Sequence, residues 1–172
     1  LLFTTSSLFS GTPDWDCDGD GLFDDRTAYE SSGSVTAAVF INEENAGSSE
    51  NDLLGAFGPS YDCSAGDGTW NDYNNNSIIL GDECIPDGGT ELRGVGIATA
   101  VPFGPYAGTY QFLTLIYSNQ SSGETVEFQF YDAETDAVHN ITETYPFGAD
   151  MTLGNVVSPE VLNDSATYVD YS

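Results

Sequence analysis

Residues 122–135 read SGETVEFQFYDAET, in which Val126, Phe128 and Phe130 alternate with Glu127 and Gln129. A period of two with one apolar and one polar face marks a strand that lies on a core and is wetted on its other side. Just upstream, SNQSSGE at 118–124 has the Ser, Asn and Gly content of a reversing turn. Before that turn, Tyr110, Phe112 and Ile116 alternate with Gln111, Leu113, Leu115 and Tyr117, which predicts a strand buried on both faces.

Further out the same period recurs. Val35, Ala37, Val39 and Ile41 alternate with Thr36, Ala38 and Phe40, while Val95, Ile97 and Val101 share one face of a segment whose other face is Gly94, Gly96, Ala98 and Ala100. Shorter candidates lie at 53–57, 138–141 and 166–171. No window shows sustained helical periodicity, and Pro and Gly recur throughout. Seven to nine short strands predict an all-β fold of two packed antiparallel sheets, a β-sandwich of immunoglobulin-like or jelly-roll type with an extended N-terminal segment. The strand order does not follow from these patterns.

The chain has 172 residues, 40% of them hydrophobic, with 10 Tyr and 10 Phe. That is enough apolar material for one domain with a real core, which excludes disorder despite the charge. The charge itself is extreme: 28 acidic residues face only Arg26 and Arg93, for a formal net charge of -26. Phosphate contacts need Lys and Arg, so nucleic acid and anionic membrane surfaces are excluded as partners. Cations are the natural partners, and close association between copies must overcome self-repulsion, through bound divalent ions or through screening over about 8 Å in physiological salt. The absence of lysine excludes Lys–Asn isopeptide bonds. No stretch approaches the roughly 18–20 apolar residues of a membrane span, and the start at Leu1 fits a secretory signal already removed. The expected location is extracellular, at the cell surface.

Six aspartates crowd residues 14–25, DWDCDGDGLFDD, around two glycines. A calcium loop needs oxygen ligands at alternate positions, a glycine at the sharp turn and a backbone carbonyl after it. Asp16, Asp18 and Asp20 supply the alternating oxygens, Gly21 the turn, Leu22 the carbonyl, and Asp24 or Asp25 the closing carboxylate, with Asp14 at the entrance. Thr27 stands where an EF-hand would place its bidentate Glu, and no helical pattern flanks the loop, so an EF-hand is excluded. The spacing resembles the Asp-rich calcium repeats of thrombospondin type 3. The bland alternative is a solvated acidic linker, since Asp and Gly both form turns. Carboxylates this close repel strongly without a cation, so calcium is the expected cofactor.

Cys63 and Cys84 bracket a polar loop rich in Asp, Gly and Asn, and are expected to pair as a disulfide that orders it. Cys17 is then left inside the acidic loop, free, paired between subunits, or exchanged with either partner. Zinc is disfavoured: no C-x-x-C occurs and His139 is the only histidine. The whole of 57–90 reads as an insertion, whose Asp62, Asp67, Asp72, Asp82 and Glu83 offer a second calcium site on ligand chemistry alone.

The pieces AAVFIN, NDLLGAF, ELRGVG, YQFLTLIYSN, SGETVEFQFYDAET, ETYPF, MTLG and SPEVL follow one another from about residue 34 to 162. In that order they resemble a β-sandwich domain of secreted, surface-attached bacterial proteins, of which YDA and ELRGV are the most specific parts. The chain departs from the usual pattern in the 57–90 insertion and in its acidic loop. The resemblance implies an extracellular, non-catalytic module.

Three regions result: an extended segment at 1–13, the acidic calcium loop at 14–26, and the sandwich at 27–172 with its insertion. The first ten residues, LLFTTSSLFS, are apolar and hydroxyl-rich. Cut off from the sandwich by the cation loop, they are suited to completing a neighbour's sheet, with Leu1, Leu2, Phe3, Leu8 and Phe9 as the assembly residues. Such a head-to-tail contact does not close and makes a filament. The arrangement resembles donor-strand bacterial fibrils, including lysine-poor fibres from aquatic environments. The expected function is therefore a structural subunit of an extracellular filament, a homopolymer stabilised by calcium.

The alternative is a monomeric calcium-stabilised adhesin or carbohydrate-binding module that meets glycans through the insertion and aromatics such as Trp70 and Tyr73. Asn75, Asn119, Asn140 and Asn163 lie in N-x-S/T sequons and are the candidate glycosylation sites, Asn119 in the turn being the best placed. Catalysis is not expected. His139 lies in a predicted strand with no nucleophile marked beside it, and a carboxylate pair carries no signal where acids are this abundant.

Overall fold

The computed structural model describes Pro13, Trp15, Phe23 and residues 25–59 and 90–165. The strand expected at 166–171 and the segment 1–10 lie outside the described residues. After a short 3-10 turn at Asp25–Ala28 come ten strands: β1 (Ser31–Ile41), β2 (Glu44–Asn45), β3 (Leu53–Pro59), β4 (Thr90–Ala100), β5 (Tyr110–Ser118), β6 (Ser122–Asp132), β7 (Ala137–Asn140), β8 (Tyr145–Gly148), β9 (Thr152–Leu153) and β10 (Glu160–Asn163). The fold is all-β. Hydrogen-bonded neighbours run β10-β1-β5-β4-β3-β6-β7, with β2 and β9 also on β1 and β8 on β6. No helix among the described residues is long and apolar enough to cross a membrane.

Alternation does the work that the sequence leads one to expect of it. Val35, Ala37 and Val39 of β1, Leu54 and Ala56 of β3, Phe112 and Ile116 of β5, and Val126, Phe128 and Phe130 of β6 all point into one core. Phe112 and Phe130 meet edge-on across it, their rings 5.7 Å apart. Each buried Val, Leu, Ile or Phe among them contributes about 1.5–3 kcal/mol. Asn42 and Glu43 both take positive φ (50° and 67°) between β1 and β2. Two left-handed residues in a row give the tight reversal that matches strand twist.

β4 decides the shape. Its first part pairs with β3 from Thr90 to Ile97 and its last residues, Ala98 to Ala100, pair with β5. One strand thus carries the chain from one sheet into the other, and the whole curls into a half-barrel. At the crossing, a Cβ on Gly94 would stand 1.8 Å from the Leu115 carbonyl oxygen, and one on Gly96 2.2 Å from Thr114 Oγ1. The small face of β4 is therefore the inner one, while Ile97 on its large face is 57% exposed. β5 also corrects the expectation of burial on both faces: Phe112 and Ile116 are buried, but Leu113 and Leu115 are 60% and 50% exposed.

Four strands carry no clear period-two signal. β2, β8 and β9 are too short for one, and β10 pairs with β1 in parallel, as β9 does. The rest of the sheet is antiparallel. Pro146 sits in β8, and lacking an N–H it suits only a sheet margin. Beyond β7, Ile141 bridges Asp164 just after β10. Thr142 N donates to Asn163 O and Ser165 N to Asn140 O, both at 2.8 Å, so the two ends of the strand path meet.

Candidate functional site

Arg93, in the middle of the β3–β4 region, is only 1% exposed. Its Nε lies 2.9 Å from Glu91 Oε1 and its NH1 3.5 Å from Glu124 Oε2. NH1 also donates to the Tyr117 carbonyl at 3.1 Å, NH2 donates to the Pro59 carbonyl, and the Tyr29 ring lies 5.2 Å from the guanidinium carbon. Tyr29 OH donates to Glu91 at 3.2 Å, and Ser118 Oγ to Glu124 at 2.6 Å. A planar five-donor fork is the side chain that can serve carbonyls and carboxylates in several directions at once. Through it, the ends of β3, β5 and the start of β6 are joined to the segment that leads into β1.

Pro59 pairs with Thr90, so the insertion leaves and re-enters the sandwich through one closed neck, clamped by Arg93 at Pro59 and Glu91. The acidic loop is tied to the same end. Trp15 packs edge-on against Phe57, ring centroids 5.7 Å apart and planes at 87°. Its ring lies over Gly55, where any Cβ would come within 2.9 Å of it. Phe23, just before Asp24 and Asp25, packs on Tyr117 at 5.6 Å and Tyr29 at 6.3 Å. Those two aromatic residues, both within the 14–25 stretch, rest on the domain at β3 and at β5.

Of the metal ligands read from the sequence, Asp14, Asp16, Asp18, Asp20, Leu22 and Asp24 lie outside the described residues, and of Asp25 the backbone opens the 3-10 turn. Thr27 is exposed beside it. The assembly residues Leu1, Leu2, Phe3, Leu8 and Phe9, the three cysteines, the insertion's acids and aromatics, and Asn75 also lie outside them. Among the described residues no three His, Cys, Asp or Glu side chains gather for a metal. Asp52, the one fully buried carboxylate described, is committed elsewhere: it accepts from Ser48 N (2.8 Å), Ser49 N (3.1 Å) and Ala133 N (2.9 Å). It fastens the turn before β3 to the β6–β7 turn.

The remaining sequon asparagines differ. Asn119 Oδ1 accepts from Glu30 N at 3.1 Å; Asn163 is exposed and its amide donates to Glu143 at 2.7 Å. Asn140 is exposed on β7, and its Oδ1 accepts from Gln129 Nε2 at 3.1 Å. Asn140 also borders an open groove of about 260 Å³, with Phe57, Glu127 and Gln129 along it. His139 is stacked at 35° beside Phe130, 6.1 Å away, a packing position.

Sequence reasoning missed Arg93. Its rarity was a signal: one of two cations among 28 acids, set inside a strand, has few fates other than a buried hub. Asp52 carried no such signal, because acids abound. No family description, no curated protein and no solved structure compared with the chain matches it. Fold and site together define an all-β, sandwich-like domain with two acidic segments rooted at one end.

Proposed function

We propose that the protein is a structural subunit of an extracellular filament, built head to tail by donation of the N-terminal segment to a neighbouring subunit and stabilised by calcium. The docking of Trp15 and Phe23 on the sandwich is the observation that supports this reading best. With Trp15 and Phe23 docked, a cation bound by the aspartates between them sets the direction in which residues 1–13 leave the domain. The six aspartates need that cation, since unscreened carboxylates at such spacing repel. Burying Leu1, Leu2, Phe3, Leu8 and Phe9 in a neighbour contributes about 1.5–3 kcal/mol per side chain before ordering costs. The role is non-catalytic, and the partner is another copy of the chain.

Electron microscopy of the full chain tests it directly. Filaments are expected in millimolar calcium, fraying to short particles when a chelator is added, and none are expected from a chain lacking residues 1–10. A truncated chain that still polymerises normally overturns the proposal. The glycan-binding reading is favoured by the Asn140–Gln129 groove, whose amides and Phe57 ring are suited to a sugar. Immobilised polysaccharides that fail to retain the protein would remove it.

A further inference from the structure

The acids of this chain are not spread evenly. Residues 31–42, 94–123 and 151–159 contain no charged side chain at all. The fold brings these three stretches together. They form β1, the last turn of β4, β5, the hairpin between β4 and β5, and the loop after β9. Leu113 lies opposite Thr36 and Leu115 opposite Ser34 on the outer face of the β1–β5 pair. Ile97, one residue before the Ala98–Phe112 pair, stands beside Leu113 on the same outer side. The surface continues past Gln111, whose Nε2 donates to the Val156 carbonyl at 3.1 Å. From there it reaches Val157 and Phe103, which with Ile97, Leu113 and Leu115 are among the large apolar side chains left exposed. Acids begin where this surface ends: Glu127 stands on the outer side of β6 and Glu134 in the turn after it, and Tyr117, two residues past Leu115 on β5, carries Phe23 of the aspartate stretch.

We propose that this charge-free face pairs with the same face of a second copy of the chain. The distribution of charge selects that occupant. Two bodies of net charge -26 repel wherever acids meet, so copies can come close only where a surface carries none. A face placed against itself also needs no complementary charge, which is the self-matching geometry of a two-fold contact. Exposed apolar side chains grouped on one side mark such an interface, where scattered ones would not. The pairing is lateral, so it is independent of the head-to-tail contact proposed above: one sets the width of an assembly and the other its length.

Sedimentation velocity and electron microscopy of the full chain test this, comparing the natural protein with Leu113→Glu/Leu115→Glu and with Val138→Glu on β7 as the control. All three sites are exposed, at 60%, 50% and 48%, and circular dichroism establishes that the variants fold. The natural chain is expected to pair side by side, more tightly in high salt, where repulsion is screened and apolar contact is not. The double variant is expected to pair at least about tenfold more weakly, as the loss of a buried leucine requires, and to give assemblies of single width. Val138→Glu is expected to behave as the natural chain. Should head-to-tail growth fail altogether, the natural chain still sediments as a pair and the double variant as a single copy. Equal pairing by the natural chain and the double variant overturns the proposal. So does a natural chain that stays single in high salt, or one in which a cysteine placed at Leu113 resists thiol labelling in the single copy, which would mean that the chain's own residues 1–12 cover the face.

Discussion

Arg93 concentrates the chain's electrostatics in one side chain. Removing it as Arg93→Met leaves Glu91 and Glu124, both mostly buried, without their cation, and a loss of about 3–5 kcal/mol is expected in urea unfolding. Changing Glu91 and Glu124 to Gln in the same chain should recover part of that loss, because the cost lies in stranded charge more than in lost volume. Tyr145 offers a second residue-scale test. Burial first, then its hydrogen bond to Glu160 at 3.0 Å, pushes its phenol up to about 12 from the ordinary 10. The folded state therefore holds this proton more tightly than the unfolded one. Stability from this group is whole below pH 10 and falls as pH rises from 10 to about 12. Tyr145→Phe should flatten that alkaline decline in a pH series of thermal melts.

β4 is the element on which the architecture turns, and its tolerance is set by glycine. Gly94→Ala would drive a methyl into the Leu115 carbonyl, a backbone atom that cannot move without opening the β4–β5 crossing. Loss of more than about 3 kcal/mol, or failure to fold, is expected, measured by chemical denaturation. The same substitution at Gly108, where nothing stands within 4 Å, meets no such obstacle and costs only the strain of its positive φ of 85°. β10 makes the opposite point. Four residues hold Leu162 in the core and join β1 to the segment after β7, although their own pattern is too short to announce a strand. Its worth comes from where it lands. The Trp15 and Phe23 contacts work likewise: two aromatic residues within an aspartate-rich stretch become anchors only because Gly55 and Tyr117 lie under them.

For the molecule as a whole, charge decides which contacts are open to it. A net charge of -26 sets copies against one another wherever acids meet, and the two assembly proposals answer that repulsion differently, one with calcium and one with charge-free surface. The all-β class was legible from the period-two runs at 35–41, 110–117 and 126–130, because inward residues of a sandwich strand must be apolar whatever their partners are. The expectation of a cation at the acidic loop rests on an equally local reason, six carboxylates within twelve residues, but almost all of those residues lie outside the described ones. What no local pattern could supply was direction. Leu113 and Leu115 look as buried as Phe112 and Ile116 until the sheet's curl leaves one side without a covering layer, and Gly94 and Gly96 look like a weak outer face until β5's backbone is seen pressed against them. Which face is inner, which strands run parallel and where Arg93 finds its carboxylates depend on contacts between residues far apart in the chain. Only the closed tertiary arrangement brings those partners within reach.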